Sequence, residues 1–170
     1  MVYIKDYEYS SMTRIGDAAF KNCSKLERFG SDSEFALPGY LETIGVSAFE
    51  GCESIEKVTL PDTVADKTVT GADGAASVRY GLGEAAFKNC TGIVDLTLSG
   101  VETISKSAFE NCISLLSVKF ANGNKVIGVS AFRNCCLLSE VRFSSSVNKI
   151  CENAFASCSR LTYVDINSSC

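Results

Sequence analysis

The side chains best equipped for chemistry in this 170-residue chain are its nine cysteines. Thiols bind zinc, form disulfides or act as nucleophiles, and spacing decides which. A zinc site wants paired ligands such as Cys-x-x-Cys, usually with His nearby. The chain has no such pair and no His, so no metal is expected. Without His there is also no Ser-His-Asp or Cys-His arrangement. The carboxylates are scattered through turns, with no pair placed as acid and base. Gly71-Ala72-Asp73-Gly74 lacks the Gly-Lys-Ser/Thr ending of a phosphate loop. Asp62, Asp66 and Asp73 lack the spacing and terminal Glu of a calcium loop. The expectation is therefore a protein that is not an enzyme, with no cofactor and no catalytic residue. Cys136 and Cys151 are the thiols best placed to react.

Six of the cysteines share one setting. They close Ala19-Phe20-Lys21-Asn22-Cys23, Ala48-Phe49-Glu50-Gly51-Cys52, Ala86-Phe87-Lys88-Asn89-Cys90, Ala108-Phe109-Glu110-Asn111-Cys112, Ala131-Phe132-Arg133-Asn134-Cys135 and Ala154-Phe155-Ala156-Ser157-Cys158. A repeat of 20–50 residues signals a stacked array, in which each unit buries its apolar face on the next. The phenylalanines fall 29, 38, 22, 23 and 23 residues apart. The basic unit is 23 residues, with insertions near 30–34 and 66–80. Six coils then span residues 1–170. The second insertion is rich in Gly, Ala and Ser, which predicts a mobile loop. Both insertions follow a strand, so they project from one rim, where binding often occurs.

Each motif is flanked by fixed apolar columns. Five residues before the Phe stand Ile15, Ile44, Leu82, Ile104, Ile127 and Ile150. Three after the Cys stand Leu26, Ile55, Ile93, Leu115, Leu138 and Leu161. Val58-Thr59-Leu60, Val118-Lys119-Phe120 and Val141-Arg142-Phe143 alternate apolar and polar, which predicts half-buried strands. Phe and Cys three apart predict one short helical or 3-10 turn. Ser47, Ser107, Ser130 and Asn153 stand where a side chain would cap that turn. Asn or Gly before most of the cysteines suits a left-handed ending. The fold predicted is an α/β repeat solenoid. Stacked cysteines with parallel Cβ vectors cannot turn toward each other, so the column reads as buried free thiols packing as small apolar groups.

The pattern Ile-Gly-x-x-Ala-Phe-x-x-Cys-x-x-Leu-x-x-Val-x-Leu resembles the BspA-like class of leucine-rich repeats. Residues 44–61, from Ile44-Gly45 to Leu60-Pro61, match at nearly every position, and the likeness covers about residues 12–170. The Leu-Pro ending survives only at Leu37-Pro38 and Leu60-Pro61. The resemblance implies a right-handed leucine-rich-repeat coil with a concave parallel sheet. It also implies a cell-surface or secreted protein that adheres to host proteins and cells. Six coils is short for the class, and Cys170 opens a seventh column that stops. The chain is expected to be either a fragment of a longer array or one whose terminus packs on something. Residues 3–9 are either a remnant of an earlier strand or a makeshift cap.

Outward positions of the predicted strands form the candidate binding strip. Arg28, Lys57, Asp95, Ser117, Glu140 and Tyr163 make one row. Gly30, Thr59, Thr97, Lys119, Arg142 and Asp165 make the other. Like charges abreast would cost stability, and neighbours in these rows are mostly of different kinds. Tyr163 is the one aromatic anchor in the strip. A net charge of −4 gives no basic footprint for nucleic acid. No apolar run nears the ~20 residues of a membrane helix, so no membrane insertion is expected. The expected partner is a protein or a glycan. The alternatives are a structural spacer between binding domains and a cytoplasmic scaffold, whose compartment would keep the thiols reduced.

Overall fold

A computed structural model describes residues 11–31, 34–70, 76–120 and 122–168. Residues 3–9, Asp73 and Cys170 lie outside that set. Five strands form an all-parallel sheet: β3 (Lys57–Leu60), β6 (Asp95–Leu98), β8 (Ser117–Phe120), β10 (Glu140–Ser144) and β12 (Tyr163–Ser168). Register joins equivalent repeat positions. Val58 pairs Leu96, Leu96 pairs Val118, and Val141 pairs Val164. In β3 the apolar pair Val58 and Leu60 is buried while Lys57 and Thr59 face out, as period-2 alternation requires.

The isoleucine column builds a second, shorter ladder. β1 (Arg14–Ile15) pairs β2 (Thr43–Ile44), and Ile44 bridges to Leu82. Further on, β7 (Thr103–Ile104), β9 (Val126–Ile127) and β11 (Lys149–Ile150) pair in parallel. The second insertion is not the loop its composition suggests. β4 (Lys67–Thr70) and β5 (Ala76–Arg79) pair antiparallel across it. Thr68, Val69 and Val78 supply β-forming side chains that the Gly and Ala content masks.

The predicted helical or 3-10 turns are absent: the described residues form no helix. Each Ala-Phe-x-x-Cys segment is a chain of turns whose N–H groups alternate in direction. Ala48, Glu50 and Cys52 donate three residues back, to Gly45, Ser47 and Phe49. Ser47, Phe49 and Gly51 donate instead to Glu84, Ala86 and Lys88 of the next coil, at 2.8–2.9 Å. The other coils repeat this with the same polarity: Phe20 donates to Ala48, Phe87 to Ala108, Phe109 to Ala131 and Phe132 to Ala154. A helix would turn every N–H back on its own coil and leave this face with no link to its neighbour.

Two left-handed residues per coil produce the alternation. Asn22, Gly51, Asn89, Asn111, Asn134 and Ser157 before the cysteines have φ of 61–74°, as their types suggest. Ser47, Ser107, Ser130 and Asn153 also lie at φ 54–56° and do not cap a helix. A capping residue needs an extended backbone, which these lack. The Ser47 and Ser107 hydroxyls bond Glu50 and Glu110 instead. Ala18 and Ala85 hold the same φ of 54°, at a cost of about 1–2 kcal/mol each.

The core is a row of rings. Phe20, Phe49, Phe87, Phe109, Phe132 and Phe155 stack with centroids 5.1–5.5 Å apart and planes within 7–11° of parallel. Phe29, Phe35, Phe120 and Phe143 meet this row edge-on or tilted. Such pairs add about 0.5–1.5 kcal/mol beyond area burial. Ala48, Ala86, Ala108 and Ala131 are fully buried beside the rings. Phe109 is fully buried between two rings, whereas Phe20 has one ring neighbour in the row and is only partly covered. Phe109→Ala is therefore expected to lower stability in urea unfolding by about 3–5 kcal/mol, and Phe20→Ala by clearly less.

Candidate interaction surface

The strand face carries the two outward rows in register. Lys57 lies beside Asp95, Asp95 beside Ser117, and Glu140 beside Tyr163. In the other row Thr59 lies beside Thr97, Thr97 beside Lys119, Lys119 beside Arg142 and Arg142 beside Asp165. Ten of the twelve strip positions thus lie in register on one sheet, all but Arg28 and Gly30. Ser117 Oγ donates to Asp95 Oδ1 at 2.6 Å. Arg142 Nη2 donates to Glu140 Oε2 at 3.2 Å, and its guanidinium lies 5.4 Å from the Tyr163 ring centre. That hydrogen bond, with the Glu140 charge, raises the Arg142 pKa above its ordinary value.

One charge relation differs from the sequence expectation. Lys119 and Arg142 are directly abreast, two cations where neighbours were read as mostly unlike. The arrangement is tolerable because Arg142 bonds Glu140 within its own strand and leans over Tyr163. Lys57 and Lys119 have no ion pair among the described residues, so both remain available to an anionic partner.

Arg28 does not join the sheet. Among the described residues the first coil adds no strand beside β3, and Phe29 and Gly30 bridge instead to Phe35. The insertion at 30–34 brings Phe35 into the core, with its ring 5.3 Å from Phe49, so residues 34–37 occupy the place a first strand would take. Two depressions open along β3. One of about 340 Å³ is lined by Glu27, Arg28, Glu34, Phe35, Ser54, Glu56 and Lys57. The other, about 320 Å³, is lined by residues 34–37 with Lys57, Thr59 and Pro61. Arg28 and Lys57 therefore share a groove wall and not a strand row.

The opposite, turn-bearing face holds a charge ladder that spacing alone reveals in retrospect. The residue after each motif phenylalanine is Lys21, Glu50, Lys88, Glu110, Arg133 and then Ala156. Lys21 pairs Glu50 at 2.9 Å, Lys88 pairs Glu110 at 2.9 Å, and Arg133 lies 3.9 Å from Glu110. Burial pushes the Glu110 carboxyl up, but hydrogen bonds from Lys88 and Ser107 and the two cations outweigh it. Its pKa ends below the ordinary value. Beside this ladder Asn111 Nδ2 donates to Asn89 Oδ1 and Asn134 Nδ2 to Asn111 Oδ1, at 2.7 and 2.8 Å.

The thiol column is structural. Cys52, Cys90, Cys112, Cys135 and Cys158 are buried and free, and each donates to a phenylalanine carbonyl of the preceding coil. The acceptors are Phe20, Phe49, Phe87, Phe109 and Phe132, at 3.0–3.4 Å. A small apolar group with a weak donor fits that demand. Cys23 departs from the expectation: it is exposed, because no described coil precedes it. Cys136 and Cys151 are half-buried. Among the described residues no three metal-ligating side chains converge, and no helix is long and apolar enough to cross a membrane.

Parallel coils of one strand and one run of turns, bound through stacked apolar columns, define a leucine-rich-repeat protein. The chain belongs to the BspA type leucine rich repeat family, which it matches in six copies over residues 13–68 and 79–170. No curated protein is similar in sequence. Among solved structures, a leucine-rich repeat protein from Bacteroides ovatus is 26% identical with a TM-score of 0.75. The match covers 96% of this chain and 36% of that one. A leucine rich cell surface protein from Faecalibacterium prausnitzii is 24% identical, with a TM-score of 0.67, covering 94% and 49%. A Treponema pallidum leucine rich repeat protein is 25% identical, with a TM-score of 0.56, covering 76% and 51%. The chain thus spans about a third to a half of these structures.

Burial pushes the Cys52 thiol up to about 12 and raises Cys90 and Cys112 above the ordinary thiol value. The native protein should therefore lose Cys23 to iodoacetamide first, with Cys90 and Cys112 unmodified until it unfolds, as read by peptide mass mapping. A thiol whose pKa is raised by folding lends stability that is whole below about pH 9 and is lost as pH rises. Urea midpoints should accordingly fall between about pH 9 and 12.

Proposed function

We propose that this chain is a non-catalytic protein-interaction module that engages its partner through the strand face. The supporting observation is the five-stranded parallel sheet with its outward rows in register and two depressions along one edge. That face offers a graded set of contacts. Thr59 and Thr97 supply neutral hydrogen bonding near β3. Lys119 and Arg142 supply adjacent positive charge, and Tyr163 supplies an aromatic surface with about half its area free (48%). Aromatic and Arg anchors of this kind carry most of the energy in protein interfaces. The partner that fits is a protein bearing a carboxylate cluster opposite Lys119 and Arg142, and contact with Asp95 and Glu140 sets its orientation.

The adhesive, surface-located role rests on the family: BspA-like repeats resemble host-binding surface proteins, so the partner proposed is a host protein outside the cell. A structural spacer would need the repeat columns and no particular chemistry on the strand face. The paired arrangement of Arg142, Glu140 and Tyr163 favours binding over that reading.

The test is surface plasmon resonance against a panel of immobilised extracellular-matrix proteins. At least one should bind, with affinity falling as salt rises. The triple variant Lys57→Ala, Lys119→Ala, Arg142→Ala should weaken that binding at least about tenfold, or about 1.4 kcal/mol. Deleting residues 71–75, the chain between β4 and β5, should leave it unchanged. Binding that survives the triple variant, or a panel with no binder, refutes the strand-face reading.

A further inference from the structure

The turn between β8 and β9 carries the chain's single Asn-Gly step, Asn122-Gly123, and both residues are exposed. An asparagine loses its side-chain amide without a catalyst when the next main-chain nitrogen attacks its Cγ. Two conditions govern the rate. The nitrogen must reach Cγ past the side chain of its own residue, and it must shed its proton. Glycine meets the first condition best, having no side chain and a freely turning backbone. Gly123 lies at φ 128°, and a Cβ built there has nothing within 4 Å. Space over the turn is therefore open to a cyclic imide and to water. Among the described residues nothing bonds the Asn122 side chain.

The other asparagines are placed differently, since each precedes a residue with a side chain. The amides after Asn22, Asn89, Asn111 and Asn134 donate to phenylalanine carbonyls of their own coil. Asn89, Asn111 and Asn134 also bond one another through their side chains. Asn124 is fully buried, and the Lys125 amide that follows it bonds the Glu102 carbonyl. The amides after Asn148 and Asn153 bond the Lys125 and Cys151 carbonyls.

One contact bears on the second condition. The Gly123 amide donates to Ser146 Oγ at 3.0 Å. Ser146 Oγ in turn donates to the Asn124 carbonyl at 2.9 Å and meets Ser144 Oγ at 2.8 Å, which fixes it over the turn. An amide held in a hydrogen bond sheds its proton more slowly and is less free to rotate toward Cγ.

From this geometry we infer that Asn122-Gly123 is a self-modification site, converting to aspartate and isoaspartate at a pace set by Ser146. The Gly123 nitrogen gives its proton to hydroxide and bonds to Asn122 Cγ. The Cγ–Nδ2 bond breaks, Nδ2 takes a proton from water and leaves as ammonia, and a cyclic imide remains. Water then adds to either imide carbonyl, and that carbonyl's bond to nitrogen opens. Opening at Cγ gives aspartate; opening at the main-chain carbonyl gives isoaspartate. Both carry a new carboxylate, and isoaspartate adds a methylene to the main chain. That methylene moves Gly123 off Ser146. It loosens a link across three coils, from Ser146 to the Asn124 carbonyl and from Asn124 Nδ2 to the Val101 carbonyl at 2.6 Å. The site is independent of the strand-face reading, and either can fail alone.

The test incubates the full chain at mildly alkaline pH, well below its unfolding temperature. Peptide mass mapping follows deamidation, and isoaspartyl methyltransferase counts isoaspartate. Asn122 should convert before any other described asparagine, and Asn122→Gln should remove that product. Ser146→Ala should speed conversion about fivefold, the factor that a hydrogen bond of ordinary net strength holds back. Ser144→Ala, which loosens the same cluster but keeps the Gly123 contact, should stay near the parent rate. Protein unfolded in urea should convert at least as fast as the Ser146→Ala variant. Thermal unfolding of each variant checks that a faster rate is not loss of fold. Another asparagine converting first, or no conversion at Asn122, overturns the site. An unchanged rate in Ser146→Ala, or equal acceleration by Ser144→Ala, overturns the role of Ser146.

Discussion

Every coil in this protein is incomplete without its neighbour, and the constraint shows most sharply in the backbone of the turn face. Alternate amides there cannot bond within their own coil. Phe49 must find Ala86, and Phe87 must find Ala108. A buried amide without a partner costs roughly 1–3 kcal/mol, so the segments are stable only when stacked. Strand pairing on the opposite face imposes the same requirement. Two ladders, one of strands and one of turns, therefore clamp the apolar columns between them.

That clamp explains the side chains of the motif. The rings stack because the turn ladder brings equivalent phenylalanines to a spacing close to that of parallel aromatic planes. Alanine precedes each ring because the neighbouring coil leaves no room for more; Ala86 and Ala108 are fully buried. Cysteine closes the motif because its thiol reaches the phenylalanine carbonyl one coil back. The side chain beyond the phenylalanine points outward, where Lys21, Glu50, Lys88, Glu110 and Arg133 alternate in charge so that each meets an opposite neighbour. The clamp does not use the strand face, which is where the proposed binding falls.

Much of this was legible in the residues, because a repeat writes its core in columns. The alternation of Val58-Thr59-Leu60 gave the strand and its inward face, and the ten outward positions of the sheet follow from that period. What escaped was whatever depends on backbone direction. Phe and Cys three apart suit a helical turn and a run of β-turns equally well, and only φ at Ser47 and Ser107 tells them apart. The hairpin escaped because Gly71 to Ala75 dominate the composition of its insertion while Thr68, Val69 and Val78 carry the pairing. Arg28 was misplaced because the period was carried through a coil whose strand gives way to Phe35.

The most direct test of the stacked-coil account is native-state hydrogen exchange on the turn-face amides. The amides of Phe49, Phe87, Phe109 and Phe132, which donate to the next coil, should be protected as strongly as those of β6 and β8 and should exchange together with them. Exchange of these four amides at the rate of exposed loops, with the strand amides still protected, would contradict the claim that the turn ladder binds coil to coil.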